Sequence, residues 1–260
     1  MVKLLRVLAL ALAAAFPSVA AAGVVDDFKA THTQTFTQEF GSGTEPSSTY
    51  WHQNWFGTAS EVTRPVNGAE TGAYDPLNAF LSAGQLKLSS TANPITINGI
   101  TYPYRTGFIA SYGLRYFSPP FYVESRINVK PAANGTIANW PAWWINGDTW
   151  PDGCEVDVME GLSGAATWHL HCGNDGAGNP TLNAGGTVPG NWTGWHNFGV
   201  LYEVGRVRIF WDTNTMVADV SDARIVDAPH YLLLGNGIGG LGGPITVPNT
   251  LVAEWIRGWN

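Results

Sequence analysis

The chain has 260 residues, with 13 basic and 20 acidic side chains and a formal charge of −7. That balance argues against nucleic acid and against anionic membranes as partners, since both demand basic patches. Charged residues are only 13% of the chain, whereas tryptophan occurs 12 times, glycine 31 times and proline 16 times. So much glycine and proline leaves little room for long helices. So many indoles provide flat rings that are apolar on the face and polar at the edge.

Residues 1–22 read as a secretory signal. Lys3 and Arg6 give a positive start, Leu4 to Phe16 is an apolar run, and Ala20, Ala21 and Ala22 are small residues at a cleavage point. The run is too short to span a bilayer core of about 30 Å. The expectation is therefore a secreted, extracellular protein, with residues 23–260 forming a single domain.

Beyond residue 22 almost every apolar segment is short and alternating. Phe121, Val123, Ser125, Ile127 and Val129 interleave with Tyr122, Glu124, Arg126, Asn128 and Lys130, and Val204 to Trp211 alternates more loosely. Many short strands separated by turn residues predict an all-β sandwich. Gly41 to Thr49, Asn174 to Gly194 and Gly235 to Asn249 read as long surface loops, of the kind that rim a cleft.

The informative strand runs Glu155-Val-Asp157-Val-Met-Glu160. Glu155 and Asp157 are two apart and share a face, leaving Val156 and Val158 for the core. Glu160 falls on the wrong side unless one extra residue, a β-bulge at Val158-Met159, re-aims it. Gly161 to Ala166 turns the chain into a return strand. Pairing Glu155 with His171 sets Asp157 opposite His169, Val156 opposite Leu170 and Cys154 opposite Cys172. Thr167, His169 and His171 then lie beside the acids, and Trp168 and Leu170 lie on the apolar side.

Three carboxyls this close cannot all ionise freely, so at least one holds its proton to higher pH. Hydrolysis of a glycosidic bond needs one carboxylic acid for the leaving oxygen and one carboxylate for the anomeric carbon. In retaining enzymes those groups stand about 5–5.5 Å apart. The spacing from Glu155 to Glu160, with the bulge discounted, permits that separation. The competing readings of the same residues are an acidic strand face and a Ca²⁺ site.

At this point the sequence resembles glycoside hydrolase family 16, whose bulged signature is Glu-x-Asp-x-x-Glu. Tyr104 to Ser111 looks like the strand preceding the family's cleft. Tyr122-Val-Glu124-Ser-Arg126-Ile resembles its Val-Glu-Ala-Arg strand, and Trp140-Pro-Ala-Trp-Trp144 its Trp-Pro-Ala-Phe-Trp. Trp195-His196-Asn-Phe198 is similar to its Phe-His-x-Tyr, and Ala253 to Trp259 to its closing strand.

The resemblance implies a β-jelly-roll sandwich of two curved antiparallel sheets, concanavalin A-like, with a concave substrate cleft. It implies Glu155 as nucleophile, Glu160 as acid/base and Asp157 as the residue that orients and tunes them. It also implies Trp144 and Trp150 as sugar platforms and His171 at the border of the reaction centre. The implied activity is a retaining endo-β-glycosidase of the laminarinase-like branch. Its substrate is expected to be a β-1,3-glucan or β-1,3(4)-glucan, because the low basic content favours a neutral polymer. A galactan-cleaving agarase- or carrageenase-like hydrolase, a transglycosylase and a non-catalytic carbohydrate-binding sandwich remain alternatives. Two intact glutamates flanking an aspartate favour the enzyme, since a binding module has no use for the pair.

The sequence departs from the family at three places. Gly235-Asn236-Gly237 replaces Asn-Leu-Ala, Cys154 replaces a small residue before the nucleophile, and Glu254 stands where an Asp is common. Glu254 is a candidate ligand of a structural calcium ion; otherwise no cofactor is expected, and the protein is read as a monomer. Arg126 is read as facing inward by alternation with Glu124, a candidate for substrate contact and equally for a structural ion pair. Cys154 and Cys172 are read as a disulfide or as two buried thiols. His169 and His171 lack a third nitrogen or sulfur ligand nearby, so no catalytic metal is expected. His196 and His230 are read as structural or surface residues. Trp140, Trp143, Trp192 and Trp195 divide between core and cleft.

Overall fold

Alternating apolar residues on short strands produce two β-sheets stacked face to face. The computed structural model describes residues 23–260, so the segment read as a secretory signal lies outside the described residues. In chain order the elements are α1 (Val24–Thr31), β1 (Gln34–Gln38), β2 (Gly72–Tyr74), β3 (Ala79–Ser82), β4 (Gln85–Thr91), β5 (Ile95–Ile97) and β6 (Ile100–Tyr102). There follow β7 (Tyr104–Thr106), β8 (Phe108–Ala110), β9 (Phe121–Val129), β10 (Trp140–Gly147), β11 (Glu155–Leu162) and β12 (Ala165–Asn174). The chain ends with β13 (Pro180–Thr187), β14 (Gly194–Glu203), β15 (Arg206–Trp211), β16 (Thr215–Ser221), β17 (His230–Gly237) and β18 (Asn249–Trp259).

The larger sheet has ten strands, running β16-β15-β14-β9-β18-β4-β7-β2, with β1 added on β18 and β3 on β4. The smaller has six, in the order β13-β12-β11-β10-β17-β8. One pair departs from the antiparallel rule: β2 runs parallel to β7, from Gly72 against Tyr104 to Tyr74 against Thr106. These two strands are joined through β3 to β6, and a crossover of that length allows parallel pairing that a hairpin does not.

The core lies between the sheets. Phe121, Val123, Ile127 and Val129 of β9 meet Trp143 and Ile145 of β10, Val156 and Val158 of β11, and Leu232 and Leu234 of β17, all almost fully buried. Trp143 Nε1 donates to the carbonyl of Phe198 across the sandwich at 3.1 Å, so its one polar atom is satisfied in the core. The ten-stranded sheet also has a covered outer patch. There α1 lays Val25 and Phe28 over Tyr122, Leu201, Phe210 and Trp259. This short helix was not foreseen in the sequence, because eight residues carry too little periodic pattern to stand out.

Asn174 to Gly194, read as a loop, contains β13. It pairs with β12 from Thr167 against Thr187 to Asn174 against Pro180. Its alternation of partly buried and exposed residues is real but muted by Ala184, Gly185 and Gly186, since glycine carries no side chain to register it. Gly185 has a steric reason. A Cβ there would stand 2.3 Å from Cδ2 of His169, the residue it faces on β12. Similarly, the loop read from Gly235 begins inside β17.

Candidate active site

The open face of the six-stranded sheet carries the acids. Glu155 pairs with His171, Val156 with Leu170, and Asp157 with His169. The register then slips, and Glu160 pairs with Thr167. On the other side β10 shows the same slip, with Trp144 facing Asp157 and Trp143 facing Met159. Val158 and Met159 are both fully buried, so two consecutive residues point into the core, and this is what returns Glu160 to the face of Glu155 and Asp157. Cys154 and Cys172 are disulfide-bonded, tying the start of β11 to its return strand immediately beside Glu155.

Each carboxyl has its own surroundings. Glu155 Oε2 accepts a hydrogen bond from Trp150 Nε1 at 2.5 Å. Burial raises its pKa, opposed by His171 and by the Trp150 bond, with Glu160 adding to the rise. Asp157 is 8% exposed, and burial pushes its pKa well above the ordinary value, helped by the charges of Glu160 and Glu155. Asp157 is therefore strongly held in its neutral form. Glu160 has both oxygens engaged: Trp140 Nε1 donates to Oε1 at 2.7 Å, and His169 Nδ1 lies 2.8 Å from Oε2. His171 Nδ1 is 2.7 Å from Asn183 Oδ1 of β13, which leaves Nε2 facing Asp157 at 3.7 Å, beyond hydrogen-bond distance.

Asp157, Glu160 and His169 offer ligand atoms within 4.8 Å of one another. Glu160 and His169 already bond each other, and Trp140 takes the remaining oxygen of Glu160, so two of the three groups are engaged in hydrogen bonds.

The acids line a cleft with about 460 Å³ of open space, bounded also by Trp140, Trp144, Tyr74, Glu70, Gly235 and Gly237. Trp150 is 47% exposed and presents a ring at the rim. Trp144 is only 7% exposed; its ring packs against Phe108 at 5.8 Å between centroids, making it a floor residue with little free face.

The expectation that Arg126 contacts substrate is corrected. Arg126 sits on β9 in the other sheet, where its Nε pairs with Glu254 at 2.7 Å and its guanidinium lies over Trp195. Alternation correctly put it on one face with Glu124, but that face is the outer one: Glu124 bonds Lys29 of α1. Glu254, considered for calcium, is thus the partner of an arginine.

Three residues beside the acids were given no role in the site from the sequence. Trp140 could have been found, because it shares the period-two face of Ala142 and Trp144 on β10. His169 was placed beside the acids, but its bond to Glu160 required coordinates. Glu70 gave no local sign, as it lies 90 residues before Glu160 on an irregular segment. His230 is fully buried and Trp143 is core.

No family model matches the chain. It is 25% identical over 240 residues to an endo-1,3-1,4-beta-glycanase of Rhizobium meliloti, an alignment covering 82% of this chain and 48% of that protein. The chain thus spans about half the length of that relative. In structure it resembles the LamAcat domain from Zobellia galactanivorans, with a TM-score of 0.72 and 25% identity, covering 90% of this chain and 99% of that one. It also resembles SCLam, a non-specific endo-beta-1,3(4)-glucanase from family GH16, with a TM-score of 0.71 and 20% identity over 88% of this chain and 91% of that one. The fold is therefore that of a jelly-roll shared with family 16 enzymes, in agreement with the resemblance read from the bulged motif.

Proposed function

We propose that this protein is a secreted retaining endo-β-glycosidase acting on a neutral β-1,3- or β-1,3(4)-glucan. One observation carries the reading: three carboxyls share one face of a bulged strand at the base of a cleft, each in a different environment. Glu155 attacks the anomeric carbon as a carboxylate while Glu160 gives its proton to the departing glycosidic oxygen. A water molecule then attacks the glycosyl–Glu155 ester, and Glu160, now a carboxylate, takes its proton. The Trp150 N–H stabilises the ionised form of Glu155. The neutral Asp157 between them adds no third charge to the site.

The choice of a neutral polymer rests on the cleft lining. It carries four carboxyls, from Glu70, Glu155, Asp157 and Glu160, and no lysine or arginine. A sulfated chain would meet repulsion there with no cation to offset it. The N-terminal segment and the disulfide support the reading that the enzyme works outside the cell.

The test is to incubate the protein with laminarin, mixed-linkage glucan, agarose and carrageenan. New reducing ends are measured, and the anomeric proton of the first product is followed by NMR. Release from laminarin or mixed-linkage glucan with retained β-configuration is expected. Inversion would refute the mechanism, and release only from agarose or carrageenan would refute the substrate. Binding without release would refute the enzyme reading in favour of a carbohydrate-binding sandwich. Longer products in place of hydrolysis would identify a transglycosylase.

A further inference from the structure

A fourth carboxyl stands in the cleft without a catalytic assignment. Glu70 belongs to the irregular segment before β2, which is stitched over the end of β17 by the bond from Thr71 N to Ile238 O at 2.6 Å. Its Oε1 is fully used, accepting from Tyr74 Oη at 3.0 Å and from Asn67 N at 3.2 Å. Its Oε2 makes no such bond and points toward Gly237, where an added Cβ would stand 2.7 Å away. Gly237 is paired with Trp140, whose indole holds Glu160. The glycine that departs from the family's usual residue at this position therefore makes the space that the Glu70 carboxyl fills.

We infer that Glu70 is a substrate-binding, specificity-determining residue whose free Oε2 hydrogen-bonds a hydroxyl of the sugar ring lying beside Trp140 and Glu160. The inference rests on the glycosidase reading of the same cleft and adds a residue to it.

The surroundings decide which form of the carboxyl does this. The titratable groups facing Glu70 are Tyr74 of β2 and the three acids of β11. From β10 come Trp140, Ala142 and Trp144, from β17 Gly235 and Gly237, and from its own segment Val66 and Asn67, none of them charged. With no cation near and Glu160 across the cleft, a charge on Glu70 is disfavoured. Burial pushes its pKa up to about 8, against the opposing bonds from Asn67 and Tyr74, with Glu160 adding to the rise. Below that pH Oε2 carries a proton and donates it to a sugar oxygen. Above it, the donor is lost and a negative charge appears beside Glu160.

The test compares Glu70→Ala and Glu70→Gln with the unaltered protein on laminarihexaose, resolving KM and kcat at pH 6 and pH 9. Glutamine keeps a neutral donor and acceptor of nearly the same shape. At pH 6 the alanine variant should raise KM about tenfold, the worth of one hydrogen bond, with kcat changed far less. The glutamine variant should recover most of that loss. Between pH 6 and 9 the KM of the unaltered protein should rise, and that of the glutamine variant should not. An unchanged KM in the alanine variant would overturn the inference, as would a glutamine variant as weak as the alanine one. If the unaltered protein leaves every glucan uncut, the functional reading itself fails, an outcome distinct from either.

Discussion

Nδ1 of His169 lies 2.8 Å from Oε2 of Glu160, while Trp140 Nε1 occupies the other oxygen of the same carboxyl. A neutral imidazole facing a carboxylic acid and an imidazole N–H facing a carboxylate share one proton across that contact. Glu160 must pass through both states in a retaining reaction, and His169 can hydrogen-bond to it in either. The ring of His169 is kept in place by its parallel neighbour His171, with centroids 6.1 Å apart, and by the absence of a side chain on Gly185.

His169→Ala is therefore expected to lower kcat about 10²-fold, with KM affected little. Gly185→Ala should reproduce much of that loss without touching a polar group, because its Cβ displaces the imidazole. Steady-state kinetics on laminarin across pH 4–9 checks both. A Gly185→Ala enzyme with unaltered kcat would show that the position of His169 is unimportant.

The three acids should differ in their response to neutral isosteres. Glu155→Gln and Glu160→Gln remove the proposed nucleophile and the proposed proton donor and should each cost about 10³-fold or more in kcat on laminarin. Asp157→Asn should cost far less, about tenfold, because the asparagine resembles the neutral acid that burial already enforces. The acid limb of the profile should lie at higher pH than an ordinary carboxyl would give, since burial raises Glu155 and the proposed nucleophile works only when ionised. An Asp157→Asn variant as inactive as Glu155→Gln would mean that Asp157 acts as an anion.

Acid stability should depend on His230. Its ring is fully buried beside Tyr202, with centroids 4.3 Å apart, and its Nδ1–H donates to the carbonyl of Ala228 at 2.8 Å. Burial lowers its pKa to about 4, whereas the unfolded chain takes the proton near 6.5. The unfolded state thus binds more protons between these values, and stability present above pH 6.5 is lost as the pH falls toward 4. The loss is on the order of 3 kcal/mol. Urea unfolding at pH 7 and pH 4.5 should show it as a difference between the unaltered protein and His230→Phe, which should fare better on acidification by about that amount. The buried carboxyls of Glu70, Glu155 and Asp157 act in the opposite direction in both proteins and cancel in the comparison.

The Cys154–Cys172 bond closes a loop across 18 positions. A cross-link of that span should contribute about 3 kcal/mol by restricting the unfolded chain. The double variant Cys154→Ala, Cys172→Ala should lose about that much in unfolding free energy. Unfolding free energies indistinguishable from those of the unaltered protein would show the bond to be dispensable.

The acid face was legible in the sequence because its logic is local. Alternation sets Glu155 with Asp157, two valines demand the opposite face, and a single bulge reconciles Glu160. The return strand carries the same division in Thr167, His169 and His171, so its register followed. The short alternating apolar runs and the dense turns likewise pointed to an all-β sandwich. What only the tertiary structure decided involves groups distant in sequence. Arg126 obeyed its alternation, yet which face of β9 meets solvent and which meets the core depends on α1 and β18 packing around it. Trp144 reaches the cleft, but how little of its ring stays open depends on Phe108, packed beside it from another strand. Glu70 enters the cleft only because its segment crosses β17 at a glycine. A strand's own period fixes which residues share a face. What that face meets is fixed by chain segments brought together from far apart, and so only in three dimensions.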